Sequence, residues 1–438
     1  MNNHRLLIGL LTAAGLSSGV VCGYSQAVIS LDELFEYAES HSAQLKPVFT
    51  SQDVSRYEIQ VAKAARLPEI TATMQVSFLG DGFTTARSLS DYQKAAIPHL
   101  GTGMGINIDQ PLYTGGAISG AIEMAELKSI GERFALDLQR DNLRIQLAGF
   151  YLDLYKYKNL RIVVEHNIEA ANKVLDEMKA RYSQGTAIAN DITRYELLIS
   201  NLELQLIRID NTIDLFNHNL VTVAGLPTDT QIIPDTALIS TVLPAASEAE
   251  WKEKATVNSP QIMLARNNID LSVTAEKLTH SDYLPKIGLQ AGWTIDGPIL
   301  VEVPPINRNL SYWWVGLGLK YNLSSLYKNN KAMRKRRAET LTARERYDAA
   351  VDNVNMAVRA DYLKYLEAYE ELKTMDKSVE LARMNYRVTS TRYSADMALI
   401  TDMLDAANAL LDAEQQLVNS KINIIYSYYK LLFTTGTI

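Results

Sequence analysis

Cysteine is all but missing: Cys22 is the only one in 438 residues. A disulfide framework and a multi-cysteine zinc site are therefore excluded. Glycine and proline are scarce, at 22 and 12. That rules out collagen-like structure and, with 47% hydrophobic residues, wholesale disorder. Positive charge is in deficit, with 43 Lys and Arg against 50 Asp and Glu, for a net charge of −7. A globally acidic chain lacks the basic footprint of a nucleic-acid binder, so no nucleic acid is expected as a partner. Beyond the N-terminus no apolar run reaches about 18 residues, so no transmembrane helix is predicted and a membrane role would have to come from strands.

The N-terminus reads as a targeting segment. Arg5 precedes Leu6-Leu7-Ile8-Gly9-Leu10-Leu11, and small residues follow, the order of a secretory signal peptide. Ser25-Gln26-Ala27 puts small residues at both specificity positions and predicts cleavage after Ala27. A lipoprotein acylated at Cys22 is the rival, but Gly19-Val20-Val21 approaches that cysteine poorly. Losing residues 1–27 removes Arg5 and no acid, and leaves a chain without cysteine.

The remainder contains itself twice. Ser42-Ala43-Gln44-Leu45 reappears as Ser259-Pro260-Gln261-Ile262, and Leu67-Pro68-Glu69-Ile70 as Leu284-Pro285-Lys286-Ile287, both at an offset of 217. From Leu112/Leu323 onward the offset is 211, through Tyr151/Tyr362, Arg181-Tyr182-Ser183/Arg392-Tyr393-Ser394, Asp191/Asp402 and Gly225/Gly436. One copy therefore has a longer loop between Pro68 and Leu112. The expected organisation is a signal peptide (1–27), a first repeat (28–227), a linker (228–246) and a second repeat (247–438). Each repeat runs from a helical segment through a Leu-Pro break to two strands and then two long helices.

The strands alternate. Ile70, Ala72, Met74, Val76 and Phe78 interleave with polar residues, and so do Met104, Ile106 and Ile108. Ile287 to Ile295 and Trp313 to Tyr321 repeat the pattern. A period of two gives one apolar and one polar face. Four such strands behind an export signal fit a transmembrane barrel, yet the smallest barrels have about eight, so several chains would have to share one. The helices carry heptads: Ile188, Ile192, Tyr195, Ile199 and Leu202 begin a 4-3-4-3 series continued to Val223, and Leu399, Met403 and Ala406 repeat it. That period predicts coiled-coil packing. Residues 117–182 and 328–393 contain no proline and predict helices about 100 Å long. They would form antiparallel hairpins closing at Ser183-Gln184-Gly185-Thr186 and Ser394-Ala395-Asp396-Met397.

Catalytic and metal-binding patterns are absent. The six histidines, at 4, 41, 99, 166, 218 and 280, form no local ligand motif. Gly101-Thr102-Gly103-Met104-Gly105 leads into a strand, which argues against a phosphate loop. No enzyme activity, cofactor or metal is expected. Lys328, Lys331, Arg334, Lys335, Arg336 and Arg337 form a basic cluster just after the fourth strand, read as a solvated helix face near anionic headgroups. Asp402 and Asp405 share a helix face at i, i+3. In a monomer they are a solvated helix start; around a symmetry axis they would form a cation-selecting ring.

Together these features resemble the TolC-like outer membrane efflux protein family over residues 30–436. The motifs are Ser30-Leu31-Asp32-Glu33-Leu34, the Leu-Pro before each hairpin, Gln110-Pro111-Leu112-Tyr113-Thr114-Gly115-Gly116, Arg-Tyr-Ser at each tip, Asp402-Met403-Leu404-Asp405 and Ala224-Gly225-Leu226-Pro227. The resemblance implies a mainly α fold with a β-barrel portion: a homotrimer with a shared twelve-stranded barrel in the outer membrane lipid and an α-helical tunnel into the periplasm. It implies a periplasmic adaptor and an inner-membrane RND or ABC-type transporter as partners. By the same resemblance Asp402 and Asp405 form the constriction, while Asp191 and Tyr393 lock the tip. The family's locking arginine falls at Ala398 here, and Arg194, one turn beyond Asp191, stands as a substitute. The adaptor would dock at the tip turns, Gly185 and Thr186 in one hairpin and Ala395 and Asp396 in the other. The expected role is a passive exit duct of an efflux or type I secretion system. The alternative is an exported soluble coiled-coil scaffold.

Overall fold

The computed structural model describes residues 26–235, 246–302 and 304–438. The signal segment up to Ser25, with Cys22, and the linker from 236 to 245 lie outside the described residues. The chain runs β1 (Gln26–Ile29), α1 (Leu31–His41), α2 (Lys46–Ala64), β2 (Glu69–Phe78), β3 (Gly82–Thr84), β4 (Gln93–Ala95), β5 (Leu100–Tyr113), α3 (Ala117–Ser183), α4 (Ala189–Ala224) and β6 (Gln231–Pro234). It continues with α5 (Glu248–Asn258), α6 (Pro260–Ser281), β7 (Lys286–Gly297), β8 (Leu310–Lys320), α7 (Ser325–Ser394) and α8 (Ile400–Thr435).

Each half opens with a capped short helix. Ser30 accepts from the Glu33 N–H at 3.3 Å, and Ser247 accepts from the Glu250 N–H at 3.4 Å, satisfying donors at the helix start. The expected single helical segment is two helices, because the chain breaks at Ser42–Leu45 in one half and at Ser259 in the other. β1 and β6, short and without alternation, pair in parallel. Buried Asn217 holds β6 by donating to Thr230 O and accepting from the Ile232 N–H, both at 2.9 Å. Cleavage after Ala27 would leave Val28 and Ile29 paired with Ile233 and Pro234.

The four long strands form one antiparallel sheet in the order β2-β5-β7-β8. Ile70 pairs with Ile108 and Ala72 with Ile106 in the first half; Ile287 pairs with Leu319 and Leu289 with Leu317 in the second. The two ladders therefore share one register at the offsets of 217 and 211. The extra residues of the first half sit in its β2–β5 connection, which carries the β3–β4 ribbon.

α3 and α7, of 67 and 70 residues, are each about 100 Å long. α3 packs against α4 and α7 against α8. Near the turns, Leu175, Met178 and Tyr195 of the first hairpin share one apolar core with Ile400, Met403 and Leu411 of the second. At the opposite end of α4, Leu34, Leu147, Tyr151 and Leu220 form another, which ties α1 to the first hairpin.

Candidate functional site

Two places concentrate unusual chemistry: the sheet, and the helical tips.

The cross-strand register sorts the sheet into two faces. Ile106 pairs with Trp293 and Ile108 with Ala291, Leu289 with Leu317, and Trp293 with Trp313. Alternate residues of all four strands thus place their apolar side chains on one face. Nothing among the described residues covers that face: Leu317 is 73% exposed and Trp313 75%. The other face is polar and bonds to itself. Gln290 donates to Asp109 at 2.8 Å, and Thr294 donates to Asp296 at 2.7 Å. β2, β5, β7 and β8 have 10, 14, 12 and 11 residues; about 9–11 suffice to cross a bilayer.

At the tips the two turns differ. In the first, Gly185 takes φ +76, and the Thr186 N–H and hydroxyl both donate to Arg181 O at 3.0 Å. The counterpart of Gly185 is Asp396, also left-handed at φ 57, a conformation Asp tolerates better than most residues. Ala395 and Met397 close that turn on Arg392 O, with their N–H groups at 3.2 and 2.8 Å. Asp396 carries a carboxylate where the first turn has only a backbone, and Arg181 uses it. The Arg181 guanidinium pairs with Asp396 Oδ1, donates to Tyr393 O at 3.4 Å and lies 5.8 Å from the Tyr393 ring centre. One arginine of the first hairpin thus grips the turn of the second.

Sequence reasoning missed this contact. Arg181 and Asp396 are 215 residues apart, and only the recurrence of Arg-Tyr-Ser marked the spot. The gate residues expected from sequence lie close by. Burial raises the Tyr393 hydroxyl above its ordinary range, the nearby Asp191 carboxylate adds to the rise, and Arg181 opposes it. No described hydrogen bond joins Asp191 to Tyr393; Asp191 sits in the first turn of α4. Arg194 instead lines a groove of about 310 Å³ between α4 and α8 with Leu404 and Asn408, and forms no described ion pair. Deeper in, buried Tyr195 hydrogen-bonds Tyr386, and burial raises both hydroxyls.

Asp402 and Asp405 sit at the start of α8, both exposed, on either side of buried Met403 and beside buried Ala406. Asp402 Oδ2 accepts from the Leu399 N–H at 3.0 Å, so it also caps the helix. Asp405 has no described partner. Their counterparts in the first half, at the offset of 211, are Asp191 and Arg194: a doubly negative pair in one hairpin and a balanced pair in the other.

Asp141, about a third of the way along α3, is buried, and the loss of hydration pushes its carboxyl up to about 6; Arg144 opposes this, while Asp137 and Glu39 add to it. The basic cluster occupies the first turns of α7, where Lys335 and Arg336 share Glu339 at 3.6 and 2.8 Å.

Residues 251–437 match the family model described as outer membrane efflux protein. The outer membrane protein TolC of Vibrio cholerae serotype O1 is 20% identical, over 93% of this chain and 91% of the relative. The outer membrane efflux protein BepC of Brucella suis biovar 1 is 22% identical, over 98% and 90%. Among solved structures, the outer membrane protein VceC of Vibrio cholerae superposes with a TM-score of 0.76 at 16% identity, covering 93% of this chain and 96% of that one. With the two-faced sheet and the paired long hairpins, these likenesses point one way: over nearly its whole length the chain is similar to outer membrane efflux proteins of the TolC type.

Proposed function

We propose that this protein is an exit duct in the outer membrane, carrying substrates passively from the periplasmic side to the exterior. The observation that carries the reading is the sheet. Its apolar face is open along all four strands, and its opposite face is polar and hydrogen-bonded. An apolar exterior with a wet interior is the pattern of an outer membrane barrel. The protein is an outer membrane channel and not an enzyme. Four strands cannot close a barrel, so three copies contribute twelve strands around a common axis.

In that trimer the α3–α4 and α7–α8 hairpins continue the barrel as a periplasmic tunnel. Asp402 and Asp405 give six carboxylates around its axis, which select cations and set the narrowest aperture. The tips form the gate. The Arg181–Asp396 grip takes the role that the family's arginine, replaced by Ala398, would have played, with Asp191, Tyr393 and Arg194 around it. A periplasmic adaptor docks at the tip turns, Gly185 and Thr186 with Ala395 and Asp396, and couples the duct to an RND or ABC-type inner-membrane transporter.

The test is direct. Detergent extracts of outer membranes should yield a trimer that forms ion-conducting pores in planar bilayers. A periplasmic monomer without conductance would support the scaffold reading instead.

A further inference from the structure

One tryptophan stands on the polar side of the sheet, and it lies flat. Trp293 and Trp313 fall on the apolar face. Trp314 falls on the polar one, on the rung it shares with Gly292 and Asn107. A barrel interior is polar, so a large aromatic ring there calls for a reason. Glycine makes room for it. Apart from Gly297 at the end of β7, every glycine of the four strands sits on the polar face. A Cβ added to Gly292 would stand 2.6 Å from Trp314 Nε1, and one added to Gly316 would stand 4.0 Å from Trp314 Cζ3. These two atoms mark opposite ends of the indole. Both ends therefore rest close to the backbone, one over β7 and one over β8, and the ring runs along the sheet. Gly292 is buried beneath it. The other side of the ring is open, and Trp314 stays 40% exposed. Tyr312, on the same face and nearer the β7–β8 connection, is 52% exposed.

The charge nearest this ring is negative. Asp109 lies on the next polar-face rung toward the helices, paired with Gln290 and with Glu69. Asp296 lies toward the β7–β8 connection, on the rung of Leu310. Their described hydrogen bonds come from neutral groups, the Gln290 amide and the Thr294 hydroxyl. Both carboxylates are exposed, and neither forms a described ion pair. The lysines of this face, Lys286 and Lys320, pair with each other at the helix end of the sheet.

We propose that Trp314 is a stacking platform in the wall of the duct for planar aromatic cations, with Tyr312 extending it and Asp109 and Asp296 supplying the counter-charge. A flat ring with one open face offers its π surface to another plane, and a tryptophan face attracts positive charge. A delocalised aromatic cation meets both conditions at once. A cation without a plane has nothing to stack, and a planar anion meets the carboxylates. The inference rests on the duct reading above, because only there does this face line a wet passage. It adds a second place of discrimination, in the barrel and apart from Asp402 and Asp405 in α8.

The experiment is block of full-length channels in planar bilayers, with the probe added on the barrel side. The probes are ethidium, a planar aromatic cation; tetraethylammonium, a cation with no plane; and naphthalenesulfonate, a planar anion. Ethidium should block wild-type channels at concentrations where the other two do not. Trp314→Ala should raise its half-blocking concentration about tenfold, and Trp314→Tyr should raise it less. Asp109→Asn combined with Asp296→Asn should weaken the ethidium block several-fold. Asp402→Asn combined with Asp405→Asn should leave it in place. Trimer on gels reports assembly of each variant separately. Unaltered ethidium block in assembled Trp314→Ala channels overturns the platform and leaves the ring as a filler over Gly292. If Trp314→Ala does not assemble, the Asp109, Asp296 double variant decides, and unaltered block there overturns the proposal. Equal block of the wild type by tetraethylammonium overturns it as well, and so does loss of the ethidium block in the Asp402, Asp405 variant. A wild-type chain that forms no pores fails the duct reading itself, and the inference with it.

Discussion

The two halves of the chain build the same elements and give them different surfaces. Asp141 in α3 is buried among Glu39, Arg140 and Arg144, while its counterpart Asp352 in α7 is exposed. Gly120 admits a neighbouring helix; Lys331 presents a charge. Asp191 and Arg194 balance each other, whereas Asp402 and Asp405 do not. The fold fixes the backbone plan in both halves, and the difference in side chains separates surfaces used within a chain from those turned outward. A duplicated chain of this kind keeps one architecture and specialises its charge.

The largest expected effect breaks what the halves share, the apolar face of the sheet. Leu289→Arg should abolish trimer assembly in the membrane, since a charge at the bilayer midplane costs about 2–4 kcal/mol. Gln290→Arg, on the polar face, should assemble normally. Ala72→Arg and Thr73→Arg should behave the same way in the first half. Heat-modifiable trimer on gels measures this, and equal damage from neighbouring positions would refute the two faces.

Asp141 and Asp352 should respond differently to neutralisation. Because burial raises the Asp141 carboxyl from 3.8 to about 6, the folded state favours its neutral form. The penalty is absent below pH 4, grows as pH rises, and is complete above about pH 6. Asp141→Asn should therefore stabilise the protein at pH 7.5, by at most about 3 kcal/mol, and leave it unchanged at pH 3.5. Asp352→Asn should do nothing at either pH. Melting curves of the detergent-solubilised protein at both pH values decide the matter.

The smallest effect separates the two tip arginines. Arg181 crosses to the other hairpin, while Arg392 donates to Met397 O of its own turn, at 3.4 Å, and to no other described residue outside it. Asp396 is largely exposed, so the ion pair is worth about 1 kcal/mol or less. Arg181→Ala should raise single-channel conductance a few-fold at most, and Arg392→Ala should not change it. The reverse order would place the lock elsewhere.

Much of this was legible in the sequence because periodicity reports burial. Alternation from Ile70 to Phe78 and from Trp313 to Tyr321 located strands to within a few residues, and the 4-3 spacing from Ile188 located α4. What escaped was structure without period or proximity. β1 and β6 are four residues each and are held by Asn217, a polar residue inside a heptad helix. The break between α1 and α2 lies in an ordinary polar stretch. The Arg181–Asp396 grip joins residues of different hairpins, which spacing cannot reveal. The aspartates at 402 and 405 were visible as a pair, but the capping of α8 by Asp402 needed coordinates.

Charge specialisation is tested most directly by reversal potential across a salt gradient in planar bilayers. Wild-type channels should favour small cations. Asp402→Asn combined with Asp405→Asn should nearly abolish that preference while trimers still assemble, whereas Asp191→Asn in the first half should keep most of it. Unchanged cation selectivity in the double variant would contradict the account and reduce the two aspartates to the solvated start of a helix.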